Sequence, residues 1–179
     1  MSSMDDYRYT YAVARINVLI TKLIDRSISS RILAADPNEV LRILGETAYA
    51  DSVAAIQNPA DIDRAMIAEL QKTYALLREI APEKELFELF RRRYDFHNLK
   101  ALLKAQITAI PANGALLNLG GYELDKLAAA VNENAFRFTP DYIRLTATEA
   151  IREHEQTGRL QAISAVCNRS MWSHLLEQA

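Results

Sequence analysis

Asp95 and His97 are the residues that most invite a chemical reading, a carboxylate and an imidazole two positions apart. Acid–base catalysis or metal binding would need both side chains to converge on one atom. On a helix, residues two apart point about 200° away from each other, so this pair shares neither a proton nor a ligand. His97 falls instead on a basic line with Arg93, Lys100 and Lys104, surroundings that repel a cation, and its expected role is structural. Asp95 is expected to pair with Arg91 at i−4, an arrangement worth a few tenths of a kcal/mol.

The remaining reactive side chains are scattered. His154 and His174 have no partner at metal-ligand spacing, and Cys167 has no histidine near it in sequence. A catalytic pair assembled from distant segments would need a deep polar pocket with converging His and carboxylates. Gly120-Gly121 lacks the Lys-Ser/Thr that a phosphate loop requires. No catalytic residue, cofactor or metal is therefore expected. Arg91-Arg92-Arg93 fans over about 200° of a helix and makes no single basic face. With a net charge of −2, nothing points to nucleic acid.

What remains is a set of spaced cations. Arg8, Arg15 and Lys22 recur every seven residues, and Arg93 and Lys100 share the same interval. Such a line either is the solvated seam of a helix or meets an acidic surface or the carbonyl ends of other helices. These five residues are the candidate partner contacts.

The elements that would carry them read as helices. Only five Gly and five Pro punctuate 179 residues, and strand-like alternation is scarce, which favours an all-α fold. The expected helices run from about Asp5 to Asp25, Ser29 to Ala35, and Asp36-Pro37 to Gly45, with the start of the last capped by Asp36 and Glu39. Asn58-Pro59 opens a long helix to about Ile80. A strut follows Pro82 and ends near Ile107, and loops fall at Ile110–Gly114 and Gly120-Gly121. Further helices cover Tyr122 to Asn132, Thr139-Pro140 to Gly158, and Leu160 to about Gln178. In the strut, Phe87, Phe90, Tyr94 and Ala101 form one apolar stripe, and Phe96, Leu99, Leu103 and Ile107 form another on nearly the opposite side. A helix apolar on two sides is expected to be covered on both. The first long helix has the same design, with Tyr7, Tyr11, Ala14 and Val18 opposite Ala12, Ile16, Leu19 and Leu23.

That likeness extends into an internal repeat. With Tyr11 placed on Tyr94, Ile16, Val18 and Leu19 fall on Leu99, Ala101 and Leu102. Leu41 and Leu44 then fall on Leu124 and Leu127, and Pro59 lands within two residues of Pro140. The expected division is a first helical unit over 1–84 and a second over 85–179, sharing a core.

Tyr11-Ala-Val-Ala-Arg15-Ile-Asn-Val-Leu19, Leu41-Arg-Ile-Leu-Gly45-Glu-Thr-Ala-Tyr49 and, most specifically, Tyr94-Asp-Phe-His-Asn-Leu-Lys100 resemble the C subunits of the V-type (A/V-type) ATPases and ATP synthases, whose eukaryotic counterpart is the d subunit. The resemblance implies an all-helical, funnel-like protein of three similar units. It also implies a non-catalytic rotor subunit that joins the central axle (D/F type subunits) to the membrane proteolipid ring during ATP-linked proton or sodium transport. The alternative is an all-helical adaptor of an unrelated complex. This chain is expected to correspond to the first two units, the N-terminal portion. It departs from the family where Ile163-Ser164 and Cys167-Asn168-Arg169 replace residues that are usually acidic.

The single cysteine suits a reducing compartment. Met-Ser-Ser-Met-Asp-Asp has no secretion signal, and no apolar run approaches the roughly 20 residues of a membrane span. The expected location is cytoplasmic, peripheral to the membrane through the ring. An uncovered strut would promote self-association.

Overall fold

Helix-start chemistry organises the first part of the chain. The structure, a computed structural model, describes residues 6–112 and 114–178, without the side chains of Asp6, Arg8 and Leu86. The backbone divides into two compact units, Met1–Lys84 and Glu85–Ala179. Among the described residues there are nine α-helices and two 3-10 turns, and no strands.

The first unit contains α1 (Asp6–Ile20), α2 (Arg26–Ala34), α3 (Pro37–Gly45), α4 (Ala50–Val53), a 3-10 turn (Pro59–Asp61) and α5 (Ile62–Ile80). Asp25 caps α2 by accepting the Ile28 N–H at 2.7 Å. Asp36 caps α3 by accepting the N–H groups of Asn38 and Glu39, at 2.9 and 3.1 Å. Glu39 does not complete a capping box, because its carboxylate turns along the helix to Arg42, 2.9 Å from Nε. That pairing holds Glu39 below the usual carboxylate range. Asn58 caps the 3-10 turn through the Ala60 N–H at 3.0 Å, so the expected single helix from Asn58-Pro59 becomes a tight turn followed by α5. The core gathers Leu44, Val53 and Ala65, with Ile32, Val40 and Ile62 packed against them.

Helix α1 is shorter than its periodicity suggests. Its expected start, Asp5, lies outside the described residues, and it ends at Ile20. Its apolar sides are largely exposed: Tyr7 by 77%, Tyr11 by 63%, Val18 by 57% and Leu23 by 59%, whereas Ala12 is buried.

The second unit is built on α6 (Lys84–Thr108), followed by a loop, α7 (Leu124–Asn132), a 3-10 turn (Phe136–Phe138), α8 (Asp141–Thr157) and α9 (Leu160–Gln178). Helices α8 and α9 form an antiparallel hairpin, since Arg169 meets Glu149 at 3.0 Å and His174 stacks on Tyr142. Gly158 turns the hairpin with φ of 64°, a left-handed cap in which its N–H reaches the His154 carbonyl at 2.8 Å. Leu99 and Leu103 pack with Leu127, Val131, Ile143 and Ile163 in one fully apolar core.

Among the described residues, the two apolar stripes of the strut are buried unequally. Phe96, Leu99 and Leu103 are buried beneath α7, α8 and α9. On the opposite stripe Tyr94 is buried, Phe87 and Ala101 are half-buried and Phe90 is exposed by 50%. Ile107 is exposed as well, in the last turn of α6, where Gln106 already bonds the Val131 carbonyl at α7's end.

Candidate functional site: the polar row on α6 and the cleft beside it

Arg91, Asp95 and Asn98 stand at i, i+4 and i+7 on α6, a spacing that aligns them on one face. That face meets the irregular segment between α6 and α7, whose backbone groups lack helical partners and must be satisfied otherwise. Asn98 reads both backbone groups of Leu117, donating from Nδ2 to the carbonyl at 2.8 Å and accepting the N–H at 2.9 Å. Arg91 donates to the carbonyls of Leu119, at 3.2 Å, and Gly120. Asp95 accepts the N–H groups of Gly121 and Tyr122, at 3.2 and 3.0 Å, and the Tyr142 hydroxyl at 2.8 Å. His97 extends the row, its Nε2 donating to the Ala115 carbonyl at 2.8 Å, since a carbonyl only accepts.

Asp95 is thus not the solvated i−4 partner of Arg91. It is fully buried, and its oxygens are spent on the loop and on Tyr142. Arg91 pairs with Glu88, at 3.2 Å, and with loop carbonyls. The reason is the return of the Gly120-Gly121 backbone to α6, which offers Asp95 N–H donors inside the protein. Burial pushes the Asp95 carboxyl above its usual range, opposed by the Tyr122 N–H, the Tyr142 hydroxyl, the Gly121 N–H and the Arg91 charge.

Beside this latch lies an aromatic stack. Tyr142 and His174 rings sit 4.8 Å apart at 26°, and Phe96 approaches both, at 5.5 and 5.9 Å. Arg92 Nη1 lies 2.7 Å from His174 Nε2. A guanidinium only donates, so Nε2 accepts and His174 is neutral with its proton on Nδ1. Burial, then the Arg92 charge, holds His174 below its ordinary value. Tyr142 is pushed far upward by burial and by the facing Asp95. These polar groups hold backbone and rings in place.

The candidate contact residues fall as follows. Arg15 is exposed on α1. Lys22 lies beyond the end of α1, in the turn where its N–H bonds the Leu19 carbonyl at 3.0 Å. The heptad line therefore breaks there, because the helix that would carry it stops at Ile20. The Arg8 side chain lies outside the described residues. In the second unit, Arg93 is exposed, its guanidinium 4.6 Å from the Tyr94 ring and bonded to the Tyr94 hydroxyl at 2.5 Å. Lys100 donates to Asn168 Oδ1 on α9 at 3.3 Å. The structure brings Arg93 and Lys100 together with His97 along an open cleft of about 240 Å³ between α6 and α9. Buried Cys167 lies nearby. Burial pushes its thiol up to about 12, while the charges of Lys100 and Lys104 pull the other way.

A sequence model of the family described as ATP synthase (C/AC39) subunit matches residues 12–179. The chain belongs to this family. Among similar proteins, the C subunit of the V-type sodium ATPase of Enterococcus hirae is 31% identical over 109 residues, covering 61% of this chain and 33% of that protein. The C subunit of the A-type ATP synthase of Methanocaldococcus jannaschii is 27% identical over 129 residues, 66% of this chain and 32% of that one. The C subunit of the V-type ATP synthase of Thermus thermophilus is 34% identical over 111 residues, with shares of 61% and 34%. The matched region thus spans about a third of each of these relatives.

Within the Tyr94–Lys100 block, Asp95 and Asn98 form the loop latch. Helical spacing alone suggests a surface ion pair for Asp95 and gives Asn98 no role. The available signal is a row of Arg, Asp and Asn at i, i+4 and i+7 on a helix otherwise apolar on two sides. Among the described residues, no helix is long and apolar enough to cross a membrane, and no group of His, Cys, Asp and Glu is placed to hold a metal ion.

Proposed function

We infer that this chain is a non-catalytic coupling subunit of a V-type ATPase or ATP synthase, seated between the central axle (D/F type subunits) and the proteolipid ring during ATP-linked proton or sodium transport. The observation that carries the reading is the family match over residues 12–179. The architecture supports it. Torque transfer needs stiffness rather than chemistry, and the Arg91–Asp95–Asn98 row binds a loop to a helix of 25 residues. On this reading the chain is peripheral to the membrane on the cytoplasmic side and needs no cofactor.

The repeat belongs to the same reading. Each unit runs from a long helix through short helical segments and a 3-10 turn to another long helix, with α2, α3 and α4 between in the first and α7 alone in the second, where α9 follows. The superposed leucines have like burial, Leu41 and Leu124 being half-buried and Leu44 and Leu127 buried. Two related units contributing to a funnel-like assembly account for this.

The test is size-exclusion chromatography with light scattering of the chain mixed with purified central-axle subunits. Co-elution at a defined ratio is expected. Failure of the chain to bind either the axle or the ring would sink the reading and leave a helical adaptor of another complex.

A further inference from the structure

We propose that His174 is an acid-sensitive clasp, whose protonation releases the last two turns of α9 from α6 and α8 while the rest of the second unit stays folded. The inference does not depend on the coupling function above.

The attachment of α9 is uneven along its length. Ile163, Val166 and Cys167 fix the first part of the helix in the apolar core. Beyond Cys167 no described residue of α9 is buried, and Trp172 and Leu176 are exposed by 62% and 76%. His174 stands about two turns past Cys167, with half-buried Met171 and Leu175 on either side of it. Among the described residues, the polar and ring contacts of this stretch converge on His174. Its Nε2 accepts from Arg92 of α6 at 2.7 Å, its ring stacks on Tyr142 of α8 at 4.8 Å, and Phe96 of α6 lies 5.9 Å away.

A proton can enter only at Nε2, because Nδ1 already carries one. It would set donor against donor and cation against cation at the Arg92 contact, so the clasp cannot stay closed around an imidazolium. An open cavity of about 300 Å³ between α8 and α9, lined by Tyr142, Ser173 and His174 among others, gives water access to the ring. The other charged groups do not restore the contact. From α8, Tyr142 keeps its hydroxyl on Asp95, and Glu149 is engaged by Arg169 of α9 at 3.0 Å. Glu177, one turn along α9, favours the imidazolium. It travels with His174, however, and so favours that form in the clasped and the released helix alike. Burial and the Arg92 charge disfavour the imidazolium, and they act only in the clasped helix. The released state therefore binds the proton more tightly, and acid shifts the population toward it. A segment held by few buried side chains opens locally before the unit unfolds.

Trp172 is the single tryptophan of the chain and lies within the stretch to be released. Time-resolved fluorescence anisotropy of the full chain, read from neutral pH to below 6.5, tests the clasp. The fast-depolarising fraction is expected to grow along the His174 titration followed by proton NMR, with far-UV circular dichroism and denaturant unfolding showing the unit still folded. His174→Phe keeps a ring on Tyr142 but cannot titrate, so the acid response should be lost. Arg92→Met removes the opposing charge, so the response should shrink. If His174→Phe fails to fold, Arg92→Met decides. A tryptophan signal that stays flat while His174 titrates overturns the clasp. So does a response that survives unchanged in the variants, or one that appears only as the whole unit unfolds.

Discussion

The Asp95 carboxylate occupies the space that a side chain at Gly120 would need. A Cβ built on Gly120 would lie 2.1 Å from Asp95 Oδ1 and 3.2 Å from its Cγ. Bonds to Gly121, Tyr122 and Tyr142 hold the carboxylate, so it cannot swing aside freely. Gly120→Ala is therefore expected to destabilise the protein by about 1–3 kcal/mol, the usual range for overpacking. Denaturant unfolding measures it, with Gly45→Ala, where a Cβ meets nothing within 4 Å, as the comparison. Equal stability of the two variants would contradict the latch geometry.

Asp95 also makes a pH-dependent contribution with a defined sign. Its folded value is raised above the ordinary 3.8, by burial first. As pH rises from about 4, the unfolded chain releases this proton first, so the contribution present below 3.8 is lost as pH passes through the raised folded value. Asp95→Asn removes the titration. The stability of the parent minus that of Asp95→Asn is expected to fall over this window. A flat difference between pH 4 and neutrality would count against a buried, shifted Asp95.

His174 acts in the opposite direction. Its folded value lies below the ordinary 6.5 because of burial and then Arg92. Stability fully present above 6.5 is lost as pH falls through the folded value, where protonation breaks the acceptor role of Nε2 toward Arg92. Proton NMR should place the His174 midpoint below 6.5. In Arg92→Met it should move upward but not fully, because burial is the larger cause. An unmoved midpoint would show that Arg92 does not face the ring in solution.

Helix α1 bears on association. Tyr11 is exposed by 63%, Ile16 by 37% and Val18 by 57%, whereas Tyr94 and Leu99, the α6 residues on which Tyr11 and Ile16 superpose, are buried. A row of exposed apolar side chains on one helix is a contact surface. Light scattering over rising concentration is expected to show self-association that Tyr11→Lys with Val18→Lys reduces. A strict monomer at high concentration would remove this surface from consideration.

Much of this was legible in the chain itself, and the boundary is physical. Helix positions follow from neighbours three and four residues apart, so the all-α class, the caps at Asp36 and Asn58, the turn at Gly158 and the inward Leu44 and Leu127 could be read locally. The family could be read from blocks such as Tyr94–Lys100. Local periodicity is silent about which chain segment arrives to cover a helix face. It presented two apolar stripes on α6 as equivalent, yet α7, α8 and α9 bury the Leu99–Leu103 side and leave Phe90 exposed. It carried the heptad of Arg8, Arg15 and Lys22 through a helix that ends at Ile20. It gave Asp95 to Arg91, four residues away, when its partners are Gly121, Tyr122 and Tyr142, up to 47 residues on. Those partners meet Asp95 only because a loop returns to the helix, and a buried carboxylate takes whatever donors that return supplies.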